Sequence, residues 1–159
     1  LHHVNGIGID YNREQYYQAL TKAGSMKQLY CDYFDSQYQM LKEFCPAVVA
    51  HFDLIRAFDP DYLSTLAAPE IIAKVERNLD FIAHQNLILD FNLRGFDKGL
   101  EQYPSLSILK MALAKGIALV PGDDSHGVNS VGRNYDQGLT VLSNLGASLE
   151  WQKPERICY

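Results

Sequence analysis

Three short apolar runs, each closing on polar residues and separated by helix-forming stretches, constrain this chain more than any other feature. Ala47-Val48-Val49-Ala50 ends on His51, Leu87-Ile88-Leu89-Asp90-Phe91 ends on Asn92-Leu93-Arg94-Gly95, and Ile117-Ala118-Leu119-Val120 ends on Asp123-Asp124-Ser125-His126. Between the first two, Pro69 opens a helix with Ile71, Ile72, Val75, Leu79 and Ile82 on one face. Between the second and third, Ser105 caps a helix through Lys115, with Gly116 as its stop. Another helix is predicted from Tyr135 to Leu145, followed by a closing strand over Ala147 to Trp151. Strand, polar loop and helix in this order build the α/β class, a parallel sheet with helices outside. Right-handed crossovers bring every strand end to one face, so His51, Arg94, Asp124 and His126 are expected to converge.

The chain opens on Leu1-His2-His3-Val4, which reads as a strand with no cap or polar lead-in, so the true beginning is expected upstream. As a strand it would carry His2 to the same rim and turn His3 the other way. Asn12 caps a helix over Arg13 to Ala23, with Gln15 in capping-box position and Gly24 as the stop. A second helix spans Ser25 to Phe44, with Met26, Leu29, Tyr30, Tyr33, Phe34, Met40, Leu41 and Phe44 forming one apolar face for packing. The stretch from Asp53 to Ala68 is expected to be a long loop. No repeat or flexible linker interrupts the sequence, and residues 1–159 read as a single domain.

Of 159 residues, 47% are hydrophobic and 21% charged, enough apolar material for a packed core. The formal net charge of −5 and the lack of a Lys/Arg-rich run argue against nucleic acid as a partner. No apolar stretch approaches the roughly 18 residues of a membrane span, and no signal peptide is recognisable. A cytoplasmic location is expected. Cys31, Cys45 and Cys158 suit free thiols, since their number and spacing give neither a disulfide framework nor a metal knuckle.

Asp124 and His126 make an Asp-x-His triplet at a strand end, and carboxylate and imidazole are good ligands for zinc, iron or manganese. His51 follows another apolar run and is a candidate for the same ion. Asp53 either supports a ring N–H of His51 or caps the following loop. Arg56 and Arg94 follow strand ends, where a guanidinium can grip phosphate with two parallel hydrogen bonds or pair with a surface carboxylate. Asn92 either bonds at the rim or caps the turn. His84, at the opposite end of the sheet, is expected to be structural. Metal, carboxylate, imidazole and arginine on one face suit phosphate-ester hydrolysis by metal-activated hydroxide. No Gly-x-Ser-x-Gly elbow, P-loop or Gly-x-Gly-x-x-Gly turn offers competing chemistry.

His2-His3-Val4-Asn5-Gly6-Ile7, His51-Phe52-Asp53-Leu54-Ile55-Arg56, Asn92-Leu93-Arg94-Gly95 and Asp123-Asp124-Ser125-His126-Gly127-Val128 resemble, in order, histidinol-phosphatases of the polymerase-and-histidinol-phosphatase (PHP) superfamily. The resemblance covers nearly the whole chain. It implies a distorted (β/α)7 TIM-like barrel with a multinuclear metal site at the strand C-termini. The reaction implied is hydrolysis of L-histidinol phosphate to L-histidinol and phosphate in histidine biosynthesis. Carried over by motif, His2, His51, Asp124 and His126 are the metal ligands, with Asp124 and His126 catalytic. Arg56 and Arg94 hold the phosphate, and Asp53, Asn92 and Asp123 support the ligands.

Members of this superfamily begin with His-x-His on the first strand and place a glutamate ligand further along, and neither precedes His2 here. The chain therefore resembles a C-terminal portion, with the N-terminal part of the same barrel as its missing partner. Weak metal binding and little phosphatase activity are expected of it alone. The alternatives are a PHP-type phosphoesterase for another phosphorylated small molecule, or a non-catalytic remnant that serves as a binding module.

Overall fold

The computed structural model describes residues 1–154, and the chain divides into two compact units. One comprises Leu1–Cys45 with Leu54–Phe81, the other Pro46–Asp53 with the chain from Ile82 onward. Cys31 is buried and Cys45 half-buried, both as free thiols, while Cys158 lies outside the described residues.

The first unit opens with a hairpin in which β1 (His3–Val4) pairs antiparallel with β2 (Ile7–Gly8). Asn5 and Gly6 between them have φ of 52° and 79°, the doubly positive turn that Asn-Gly adopts most readily. The strand expected at the start of the chain is present at His3–Val4, with β2 as its hydrogen-bonded partner. A two-residue turn closes a local ladder at little entropic cost, and β1–β2 is a sheet of its own.

Helix α1 (Arg13–Ala23) begins where predicted: Asn12 Oδ1 accepts the Gln15 N–H at 2.9 Å, a cap worth about 1 kcal/mol. It ends on Gly24, whose φ of 83° lets its N–H return to the Leu20 carbonyl. Helix α2 (Met26–Phe44) is capped by Ser25 Oγ on Gln28 N–H. Its apolar face packs as expected, with Leu29, Tyr30, Tyr33, Phe34 and Leu41 inaccessible to solvent, although Phe44 is exposed at the helix end. Each such burial contributes about 1.5–3 kcal/mol.

The stretch after Asp53 is not an irregular loop. It folds into a 3-10 helix, Leu54–Phe58, and helix α3 (Tyr62–Leu66), because Leu54, Ile55 and Leu66 give it apolar anchors to bury. Helix α4 (Pro69–His84) starts at the predicted proline. Within the first unit it is tied to α2 by Lys74 and Arg77 on Asp35, and by Asn78 Nδ2 donating to the Phe34 carbonyl and Gln37 Oε1.

The second unit carries the parallel sheet, in the order β3 (Val48–Val49), β4 (Ile88–Asn92), β5 (Leu119–Gly122). Val49 pairs with Leu89, Leu89 with Leu119, and Asn92 with Gly122, so the C-terminal ends of the strands lie side by side. All five residues of β4 are buried. Helices α5 (Arg94–Asp97), α6 (Leu106–Ala114) and α7 (Tyr135–Asn144) follow. Ser105 precedes α6 without a side-chain capping bond, and its own N–H donates to Asp53 Oδ2 at 2.9 Å.

Ala147 to Trp151 form no strand, a correction to the expected closing strand. They pair with no neighbour in the β3–β4–β5 ladder, and Ser148, Leu149 and Glu150 are exposed, so burial supplies little to hold them extended. The fold is α/β with no closed barrel among the described residues. No helix among them is long and apolar enough to cross a membrane.

Candidate active site

The C-terminal ends of β3, β4 and β5 gather His51, Asp90, Asn92, Arg94 and the Asp123–His126 turn within the second unit. Strand alternation puts Asp90 and Asn92 on one face of β4. Asp90 Oδ2 accepts the main-chain N–H of His51 at 3.3 Å and the side-chain amide of Asn92 at 2.8 Å. Asn92 Oδ1 in turn accepts the Arg94 N–H at 3.1 Å, and Arg94 Nη1 donates to the Asp124 carbonyl at 3.1 Å. One chain of hydrogen bonds therefore joins the ends of all three strands.

Burial pushes the Asp90 carboxyl up to about 6; the bonds from Asn92 and the His51 N–H oppose the rise, and the charges of Asp124 and Asp123 add to it. Gly122 lies against this carboxylate, and a Cβ there would collide with Asp90 Oδ1. His51 and Asp124 both have positive φ, 29° and 49°. Such backbone costs of order 1–3 kcal/mol and persists where neighbours over-determine it. The 3.3 Å bond from the His51 N–H to Asp90 Oδ2 offsets part of that cost.

The turn after β5 is organised by Asp123, whose carboxylate accepts the N–H groups of Ser125 and Gly132. Ser125 Oγ and Ser130 Oγ are 2.7 Å apart and lock the same loop. This leaves Asp124 and His126 as its outward pair, with Oδ1 and Nε2 separated by 3.5 Å. His126 borders a cleft of about 430 Å³ lined also by Arg94, Asp97, Ser130 and Arg133 among others. Arg133 Nη1 lies 3.6 Å from Asp97 Oδ1 on the same wall, so Arg94 is the guanidinium that most favours an anionic ligand here.

The other sequence candidates have local partners of their own. Asp53 is buried and receives the Ser105 N–H at the start of α6. His2 belongs to the first unit, where its Nδ1 meets Asp10 Oδ2 at 2.8 Å. Arg56, also of the first unit, is fully buried with its guanidinium 4.8 Å from the Tyr62 ring centre. His84 closes α4, with Nδ1 3.2 Å from the Gln85 amide.

Sequence reasoning missed Asp90, Asp97 and Arg133. Asp90 had a signal, a carboxylate inside the otherwise apolar run Leu87–Phe91, whereas Asp97 and Arg133 are ordinary charges until the cleft brings them together.

The resemblance implies a divalent metal, and the donor set tests that implication. Among the described residues no group of three or more His, Cys, Asp or Glu side chains is placed to hold an ion. Asp124 and His126 form a donor pair, but the Asp90 and Asp123 carboxylates are engaged by the N–H groups named above. A catalytic zinc site takes about three protein ligands, so the pair falls short of a centre.

No protein-family model matches the chain. It is 33% identical over 150 residues to the "Probable histidinol-phosphatase" of Schizosaccharomyces pombe, covering 92% of this chain and 49% of that protein. It is 35% identical over 161 aligned positions to the histidinol-phosphatase of Saccharomyces cerevisiae, covering 86% and 48%. A crystal structure of a Listeria monocytogenes protein assigned as a histidinol phosphatase matches with a TM-score of 0.75 and 28% identity, over 84% of this chain and 53% of that one. The chain spans about half the length of the relatives it matches.

Proposed function

We propose, from a homology that supports a histidinol-phosphatase-type assignment at moderate identity, that this chain is part of a metal-dependent phosphomonoesterase acting on L-histidinol phosphate. The observation that carries the proposal is the cleft beyond β4 and β5, lined by Arg94 and His126, each of which contacts Asp124, at the C-terminal end of a parallel sheet. Binding sites of open α/β sheets lie at that end.

In this reading Arg94 holds a phosphoryl oxygen. Its Nη1 is already on the Asp124 carbonyl, which leaves the rest of the guanidinium fork for a ligand. Asp124 and His126 are metal donors, His51 supplies a further imidazole, and Asn92 and Asp123 hold Arg94 and the turn in place. His2 and Arg56 enter as ligand and phosphate contact through the family resemblance. A complete centre needs donors beyond the Asp124–His126 pair, and the His-x-His and glutamate of the superfamily are the candidates. The sheet would then form part of a distorted (β/α)7 barrel, and residues 1–159 part of a single PHP-type domain.

The test compares L-histidinol phosphate with a generic phosphomonoester in a phosphate-release assay supplemented with zinc, iron or manganese. The expected outcome is slow, chelator-sensitive turnover that favours histidinol phosphate and is lost in R94A. Equal rates on both esters would replace this substrate with a broader one. Turnover insensitive to chelation and to R94A would reject the proposal.

A further inference from the structure

We propose that Asp90 is a positioning residue, a buried carboxylate that sets the His51 and Arg94 backbones, and through Arg94 the Asp124 turn, in one mutual arrangement. What that arrangement serves rests on the phosphatase reading; the positioning itself rests on geometry alone.

Asp90 lies on the central strand of the sheet and is only 7% exposed, at a position whose neighbours Leu89 and Phe91 are fully buried. An apolar side chain there would bury at no electrostatic cost, whereas a carboxylate must be desolvated. Gly122, on the adjacent strand, compounds that choice. A strand glycine forfeits packing and marks a close approach, and here its missing side chain is the space that Asp90 Oδ1 occupies. Two neighbouring strands thus each carry a residue that disfavours stability, and the two fit each other.

The carboxylate uses that space to reach both sides. Oδ2 takes the His51 N–H from the end of β3 and the Asn92 amide on its own strand. Held by Asp90, the Asn92 side chain presents Oδ1 to the Arg94 N–H, and Arg94 then reaches the Asp124 carbonyl beyond β5. Without the first acceptor, Asn92 is free to rotate and His51 loses the bond that holds its left-handed backbone.

The experiment measures amide hydrogen exchange and the affinity for inorganic phosphate on the full chain and on D90A and D90N. Asparagine can offer Oδ1 to the same two donors without the charge. In D90A, exchange at His51 and Arg94 is expected to rise about fivefold or more, the scale of one lost hydrogen bond, and phosphate affinity to fall with it. Exchange in α2 should be unchanged, and D90N should stay within about threefold of the parent in both measurements. Should D90A fail to fold, G122A crowds the carboxylate without removing it and is expected to give the same pattern. Parent-like exchange at His51 and Arg94 in D90A or G122A overturns the proposal. So does D90N impaired as severely as D90A, because the charge rather than the hydrogen-bond geometry would then be what matters. If the exchange pattern appears and the parent chain binds no phosphate, the positioning role stands and the phosphatase reading falls.

Discussion

Nη1 of Arg94 donates to the main-chain oxygen of Asp124 at 3.1 Å, so the residue after β4 is bonded to the turn after β5. The bond orients the guanidinium over the cleft that His126 and Arg133 also line. R94A should therefore weaken phosphate binding by about tenfold or more, the scale of a charge-assisted hydrogen bond. R94K restores the charge without the planar fork and should recover only part of the affinity. Isothermal titration with inorganic phosphate measures both.

Gly138 of α7 packs against the end of β4, where a Cβ would stand 2.5 Å from Leu93 Cδ2 and 3.1 Å from Phe91 Cε1. Alanine gains about 1 kcal/mol in helix propensity but overpacks this contact at about 1–3 kcal/mol. G138A is expected to be net destabilised in urea denaturation. The double variant L93A/G138A, which vacates the collision, should lose less than the sum of its single variants.

Asn78 is buried, donates to the Phe34 carbonyl and Gln37 Oε1, and accepts from Arg77. Replacing it with leucine removes both donated bonds and the acceptor for Arg77 from a buried site, while the Phe34 carbonyl keeps Arg77 Nη2 as a donor, so the expected cost is about 1–3 kcal/mol in all. Chemical denaturation of N78L should show that loss, with an unchanged slope if the unfolded state is unaffected.

Asp35 gives stability a pH dependence. Burial alone would raise its carboxyl, but the hydrogen bonds and charges of Lys74 and Arg77 outweigh burial and hold it below the ordinary carboxylate range. A depressed folded-state pKa means the contribution is present above the unfolded value, near 4, and disappears as pH falls through the folded value. Asp35 is 45% exposed, so solvent and salt reduce the effect. Denaturation midpoints measured downward from pH 5 should fall less steeply in D35N than in the parent chain.

Most elements were legible because their signals are local. Asn12 and Ser25 cap α1 and α2, Gly24 closes α1, Pro69 opens α4, and the apolar runs give β3, β4 and β5 with ends shifted by one or two residues. The β1–β2 hairpin was equally local, carried by Asn5-Gly6, but an apolar opening fragment reads as a strand whichever partner it finds. The order around Leu54–Leu66 and its absence over Ala147–Trp151 depend on which apolar side chains find a surface to bury against, and no short window carries that information.

The candidate site divides in the same way. Sequence by itself determined which residues end the parallel strands, because alternating strands and helices put those ends on one side; His51, Asn92, Arg94, Asp124 and His126 follow from that alone. Only the tertiary structure decided what they do to one another. It turned Asp53 toward Ser105, committed Asp123 to its own loop, and made Asp90 the acceptor for His51 and Asn92. The reason is range: a helix cap or a strand run is specified by neighbours along the chain, whereas a buried carboxylate is specified by donors dozens of residues away that meet it only when the strands pair.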